Sequence, residues 1–538
     1  MSGKRKLLII LLLIGLIWRL AFSWQPMERL TLFPVVDDGF YSLNIARNLA
    51  LGAGMTCDGV HPTNGFQPLF VFLAVPFYWI FPQNKYLPVN LVLSCLSFLS
   101  VISGLLIYKL VKHLSHEKAA LFAVLLWCLS PTVIEFELNG LESGLSVFFL
   151  LWTTYYYLTK VRNQKAGAIN HIFLGVLLGL AVLTRIDGLF FCLAMFLDYL
   201  WVNRRQLVEI RLPASQVISA CILVCSPWFL NNLFQFGHIM PVSGQAVRQI
   251  SLSPIISGFP TDLSPALEGG IPGAYYLSNI KQSLSKLGRA PLIEALFWPG
   301  LLLGLNWLGY LLLTFFIGGG LILIGCTREK DFSKISQMNF ILGYCAIMLI
   351  AYCFYVFGQW YYVRYYFPLI SISILYSGFF YNLTLEEPRL SPLAGKTLKW
   401  GSLVFLFLSL NYRLGERLFS TPDWDRQKHT PYYQTALWVE KNLPPDAVLG
   451  CFQSGTIGYF VPQTVINLDG VVNQEAYLAI KEKRMLAYIE KSGIEYIVDW
   501  PGMVEAFLWQ ASPPNSPRQK IFLLESGLKN YGVYRVVN

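Results

Sequence analysis

The chain has 538 residues, of which 55% are hydrophobic and only 13% charged. Soluble domains carry about 25% charged residues, so the long apolar runs and the missing charge exclude an ordinary soluble protein and point to lipid as the main solvent. The formal net charge of +10 does not indicate nucleic-acid binding. Lys and Arg sit in short clusters between apolar runs, where they set membrane topology. Most Cys residues stand singly inside apolar runs, such as Cys95, Cys128 and Cys192, with no Cys/His metal spacing. They read as small buried hydrophobes.

The apolar run from Leu7 to Phe22 follows a basic start and lacks a clear small-x-small cleavage site, so it reads as a transmembrane helix rather than a removed signal. Further spans are expected at 88–110, 119–136, 142–159, 171–185, 187–203, 213–235, 298–325, 337–357, 365–383 and 399–412, giving about eleven transmembrane helices. The run 66–82 is apolar but short, and Pro68, Pro76 and Pro82 interrupt it. If it crosses the membrane, the cluster Lys4/Arg5/Lys6 falls inside and the next five basic clusters fall outside. If it lies along the interface, all six fall inside, which the positive-inside rule favours.

That choice makes 66–82 a juxtamembrane helix in the first outer loop, 24–87. The second large outer loop is then 236–297, and short outer turns fall near 135–142, 185–187 and 359–364. The tail 413–538 also falls outside. It gains charge, Pro and turn residues, with a helix signal from Pro431 to Lys441 and strand signals at 446–451, 465–468 and 495–499. The expected fold is therefore a polytopic α-helical membrane protein, a membrane module over 1–412 and a small extracytoplasmic α/β domain over 413–538. The N-terminus would be cytoplasmic, and the plasma (inner) membrane is the expected location.

The first outer loop carries the strongest chemical signal. Asp37 and Asp38 stand just before an amphipathic stretch that runs to Leu49. Such residues often only cap a helix, but an acidic pair near the membrane surface also suits a general base or a metal ligand. The segment from Gly52 to Pro68 is a Gly-rich, polar turn region, either an ordered connection or a pocket floor. Arg185 and Asp187 lie between two apolar spans with almost no linker. They read as a turn-stabilising ion pair or as a phosphate contact by Arg185. Arg364 lies among Trp360, Tyr361, Tyr362, Tyr365 and Tyr366, a setting that suits bidentate phosphate binding beside sugar-stacking or interfacial aromatics. Glu135, Glu137 and Glu142 flank an outer turn, where a solvated rim is expected for at least two of them.

The stretch Asp37 to Pro68 resembles the first periplasmic loop of GT-C glycosyltransferases, polytopic enzymes that use polyprenyl-phosphate sugars as donors. The likeness is to the bacterial branch with the mycobacterial terminal arabinofuranosyltransferases. Asn139-Gly140-Leu141-Glu142-Ser143 resembles that family's Ser-Gly-Leu-Glu-Thr, and Leu183-Thr184-Arg185-Ile186-Asp187-Gly188 its Leu-Thr-Arg-Pro-Asp-Gly. Arg364-Tyr365-Tyr366-Phe367-Pro368 resembles its Arg-Tyr-Phe-x-Pro, and the tail segments 454–460 and 467–473 are also similar. Ser143, Ile186 and Asn467 depart from the pattern without removing an acidic candidate.

The resemblance implies an inverting transfer of a sugar from a polyprenyl-phosphate donor to an acceptor hydroxyl at the outer face. Asp38 or Asp37 would act as base, and Arg364 and Arg185 would bind the donor phosphate. Tyr41, His61, Asn64, Gln67, Glu142, Asp187 and Tyr365 would form the substrate pocket. The pocket would be walled by 39–68 and by the loop 236–297, with the tail helping to bind a glycan, lipid or protein acceptor. A divalent metal (Mg or Mn) on Asp37 and Asp38 is compatible with the family. The alternative is a membrane transporter or flippase of lipid-linked glycans. Such a protein would be expected to carry polar or broken helices near the midplane and an internal repeat, whereas the charges here collect at one surface.

Overall fold

The computed structural model describes residues 3–162, 166–206, 208–251, 336–355, 363–385, 392–419, 431–510, 521–524, 528 and 531–537. Helix α1 (Gly3–Ser23) leads through the single turn α2 (Met27–Leu30) to α3 (Asp37–Ala50) and α4 (Pro68–Ile80). Next come α5 (Leu87–Leu114), α6 (Glu117–Leu129), α7 (Pro131–Glu137), α8 (Ser143–Tyr156), α9 (Ala168–Thr184), α10 (Gly188–Val202), α11 (Arg211–Phe236) and α12 (Val242–Ser251). Further along are α13 (Asn339–Tyr355), α14 (Phe367–Leu385) and α15 (Pro392–Phe419).

Among the described residues, α1, α5 and α11 are each long and apolar enough to cross a membrane. Every expected span except 298–325 falls on a helix. Residues 298–325 lie outside the described residues, as do 252–297 of the second expected loop and Trp360, Tyr361 and Tyr362.

One expected span needs correction. The run 119–136 is two helices, α6 and α7, bent by 61°. Pro131 has no N–H to continue the ladder and disfavours helical geometry at the residue before it. The Ser130 side chain instead accepts the Val133 N–H at 3.3 Å and starts a new helix. The bend carries Glu137 back into the bundle, so the expected solvated rim is wrong there. Both Arg19 Nε and Nη2 donate to Glu137 Oε2, at 2.8 and 2.6 Å, and Ser100 Oγ donates to it at 2.8 Å. The remaining Arg19 N–H groups reach the Gly15, Trp127 and Cys128 carbonyls. Burying an ion pair is tolerable only with this degree of hydrogen bonding. Glu135, by contrast, pairs with Arg417 and stays half-exposed.

The tail begins with α16 (Tyr432–Asn442) and builds a five-stranded sheet. Its strands are β1 (Val448–Cys451), β2 (Thr464–Asn467), β3 (Tyr496–Asp499), β4 (Ile521–Leu524) and β5 (Gly532–Val536), in the order β2-β1-β3-β5-β4. β1 runs parallel to β2 and β3, and β5 closes the sheet antiparallel to β3 and β4. The helices α17 (Gly455–Phe460), α18 (Gln474–Lys481), α19 (Met485–Lys491) and α20 (Pro501–Gln510) link or cover the strands. Strand alternation divides the apolar residues between two cores. Ile466 and Ile497 face a local core with Met485, Tyr488 and Leu508, whereas Val465 and Val498 join the large core shared with the membrane helices.

Two backbone contacts seat the tail on the first loop. A Cβ on Gly65 would stand 2.0 Å from the Val471 carbonyl oxygen, and one on Gly455 would stand 2.1 Å from that of Asp37. Only glycine permits so close an approach. Lys85 adds a cation at the C-terminal end of α17, where Nζ donates to the Phe460 and Val461 carbonyls at 2.9 and 3.1 Å.

Candidate active site

A cavity of about 550 Å³ lies between the ends of the membrane helices, α12 and the tail. From the first loop, Asp38, Tyr41, Gly65, Phe66 and Gln67 border it. From the helix ends come Glu142, Arg185, Asp187, Tyr352, Arg364 and Tyr365. α12 and the residues just before it supply Met240, Ser243, Gln245 and Arg248, and the tail supplies Gln453, Asp469 and Val471.

Asp37 and Asp38 form the first turn of α3 rather than preceding it. Successive helical residues do not face the same way, and the pair is therefore divided. Asp38 borders the cavity and accepts a bond from Arg364 Nη2. Asp37 turns to the tail, where its carboxylate accepts the Thr456 and Gly455 amides at 2.7 and 3.2 Å. Burial pushes the Asp37 carboxyl up to about 7, against the lowering effect of those hydrogen bonds. Asp37 does not border the cavity, which corrects its expected catalytic place.

Arg185 is matched by two carboxylates. Its Nη1 donates to Glu142 at 2.9 Å, its Nη2 to Asp187 at 2.7 Å, and Nη2 also meets the Tyr352 hydroxyl at 3.2 Å. Arg185 borders the cavity, and its guanidinium is tied into an ion cluster with Glu142 and Asp187. The cluster forms because α9 ends at Thr184 and α10 starts at Gly188, which leaves Arg185 and Asp187 in one tight turn. The Tyr365 ring lies beside both guanidiniums, 5.8 Å from Arg185 and 5.4 Å from Arg364, within cation–π range.

Two further expected pocket residues do not border the cavity. His61 Nδ1 bonds to Asp58 at 2.7 Å, which raises the imidazole above its ordinary range and holds it in the loop turn. Asn64 Oδ1 accepts the Val242 N–H at 3.0 Å and so fixes the start of α12. No group of three or more His, Cys, Asp or Glu side chains is placed to hold a metal ion among the described residues. With Asp37 committed to the tail amides, the acidic pair does not present two carboxylates to one ion.

Sequence reasoning did not single out Asp469, Gln453 or Tyr352, whereas Met240 and α12 come from the loop expected to wall the pocket. Asp469 sits in a turn after β2, with Oδ1 accepting the Val471 amide at 2.8 Å, and burial pushes its carboxyl up to about 8. An acidic residue in the turn Asn467-Leu468-Asp469-Gly470 was the available signal.

Residues 61–230 match a family model described as dolichyl-phosphate-mannose-protein mannosyltransferase, and residues 422–534 match a domain of unknown function. No curated protein matches the chain. The fold is similar to that of the Archaeoglobus fulgidus oligosaccharyltransferase solved with Zn and sulfate, with TM-score 0.57 and 15% identity over 99% of this chain and 73% of that one. It is equally similar to ArnT from Cupriavidus metallidurans bound to undecaprenyl phosphate, with TM-score 0.57 and 13% identity over 99% of this chain and 98% of that one. The mycobacterial arabinofuranosyltransferase AftD aligns with TM-score 0.42 and 13% identity over 100% of this chain and 40% of that one. The chain is a polytopic helical membrane protein that shares its fold with the first two of these solved structures.

Proposed function

We propose that this membrane protein is an inverting glycosyltransferase that moves a sugar from a polyprenyl-phosphate donor to an acceptor hydroxyl at the outer face of the membrane. The observation that carries this is the Asp38–Arg364 pair at the edge of a cavity lined by aliphatic, aromatic and polar side chains. The family match and the two neighbours support it, since one is named for a dolichyl-phosphate-mannose enzyme and another holds undecaprenyl phosphate.

In the reaction, Asp38 takes the proton of the acceptor hydroxyl as its oxygen bonds to the anomeric carbon. The bond from that carbon to the donor phosphate breaks, and the electron pair leaves with the lipid phosphate. Arg364 stabilises the departing charge and gives up part of its contact with Asp38 as the phosphate enters. Arg185 holds Glu142 and Asp187 as a fixed wall. The lipid tail stays in the bilayer while the head group enters the cavity.

The outward orientation rests on the basic clusters and on α4. That helix has 13 residues, about 20 Å of rise, short of the roughly 30 Å hydrocarbon core. Its end carries exposed Trp79 and Ile80, as suits a helix lying in the interface.

The test uses purified protein in detergent with a panel of radiolabelled polyprenyl-phosphate sugars. Wild type should transfer label, and Asp38→Asn should lose about 10²–10⁴-fold in kcat while keeping its unfolding temperature. Full activity in Asp38→Asn would remove the base assignment, and no transfer from any donor by wild type would remove the enzyme reading.

A further inference from the structure

The donor chemistry leaves one side of the cavity unused, the side supplied by the tail. Strands β1, β2 and β3 are parallel, so their C-terminal ends share one edge of the sheet. In open α/β sheets ligands collect at that edge. Here Gln453 follows β1 and Asp469 follows β2, and both border the cavity.

Neither residue hangs on a loose loop. Asp499, at the end of β3, accepts the Phe452 and Gln453 amides, each at 2.8 Å. Asn467 accepts the Gly470 amide at 3.0 Å and donates to Ser454 Oγ at 3.1 Å, tying the two turns together. The Tyr41 hydroxyl of α3 accepts the Ser454 amide at 3.1 Å, so the edge is also tied to the helix that carries Asp38. This much buried hydrogen bonding holds side chains in place before a ligand arrives.

We propose that this strand edge is the acceptor subsite, that Gln453 and Asp469 bind hydroxyl groups of a saccharide acceptor, and that they thereby present a neighbouring hydroxyl to Asp38. The assignment rests on the glycosyltransferase reading above and narrows it. A serine or threonine side chain offers one hydroxyl, which Asp38 alone would engage. A carboxyl and a primary amide beside that base suit a ligand with several hydroxyls, since the amide both donates and accepts and the carboxyl oxygens accept.

The experiment uses the full-length protein with the radiolabelled donor panel and two acceptor sets, octyl monosaccharide glycosides and serine- or threonine-containing peptides. Wild type should transfer to at least one octyl glycoside and not to the peptides. Gln453→Ala and Asp469→Asn should each raise the acceptor KM about tenfold, the loss of one hydrogen bond to a bound ligand. The donor KM, and kcat at saturating acceptor, should change less than about threefold. A purely structural role would instead lower kcat and the unfolding temperature together. Gln453→Ala guards against misfolding, because Asp499 holds residue 453 by its backbone. Unchanged acceptor KM in both variants, or equal transfer to peptides, would overturn the assignment while leaving the enzyme reading intact. Absence of transfer by wild type with every donor would defeat both.

Discussion

Two arginine–carboxylate pairs in this molecule have the same chemistry and opposite settings. Arg19 and Glu137 are sealed among α1, α5, α6 and α7, with side chains 1% and 2% exposed. Arg364 and Asp38 meet at the cavity, with side chains 16% and 31% exposed. The sealed pair leaves no room for a ligand, and its hydrogen bonds end on carbonyls and a serine within the bundle. The open pair borders space for one. Charge in an apolar region therefore has to be judged by what lies beside it. The sealed pair fixes helix positions, and the open pair is available for chemistry.

The largest effect should come from breaking the sealed pair. Glu137→Leu leaves Arg19 buried without its counter-ion, and such a loss costs about 3–5 kcal/mol. The double variant Arg19→Leu with Glu137→Leu should recover most of that, because a buried pair replaced by apolar groups is often close to neutral. Thermal unfolding in detergent reads both. A double variant no more stable than Glu137→Leu would mean that the pair is not a closed unit. Arg364→Ala should behave in the opposite way. Its loss should lower kcat by about 10²–10³-fold and shift stability little, since exposed pairs contribute about 0–1 kcal/mol. If Arg364→Ala instead unfolds the protein while turnover per folded molecule holds, the contrast between the two pairs fails.

The two pairs also differ in how far they could be read in advance. Apolar runs were legible because lipid demands continuous apolar helices, and helices do lie over 6–23, 88–110 and 213–235. Arg19 lies inside the first run, where a charged residue is itself a signal of a buried partner, but nothing local names Glu137, 118 residues away. The break at Ser130-Pro131 is written locally, but the apolar residues on both sides make the sequence read as one run. At the cavity, the motif residues Glu142, Arg185, Asp187 and Arg364 were legible as chemistry. Which of them stays open to a ligand was not, because that depends on partners from distant helices. The division of Asp37 from Asp38 was hidden for the same reason, since the amides that claim Asp37 come from residues 455 and 456 of the tail.

A smaller effect tests the seat of the tail beside the open pair. Gly65→Ala would drive a methyl group into the Val471 carbonyl, and overpacking of this kind typically costs about 1–3 kcal/mol. Because Val471 and Gly65 both border the cavity, the variant should raise KM as well as lower the unfolding temperature. Loss of stability with KM unchanged would separate the seat from the site.

A further test is a pH dependence at the same seat. Asp37 and Asp469 are buried carboxyls pushed up to about 7 and about 8, and Asp499 to about 6, in each case chiefly by burial. In the unfolded chain all three would titrate near the ordinary aspartate value of about 3.9. Between that value and the raised ones the folded state binds more protons than the unfolded state, so stability must fall as pH rises. The contribution is fully present below about pH 4 and is lost by about pH 8. The unfolding temperature should therefore decline across pH 5–8. Asp37→Asn, which keeps a neutral side chain at every pH, should flatten the part of the decline centred near 7. A decline left unchanged by Asp37→Asn would move the pH response away from the seat of the tail.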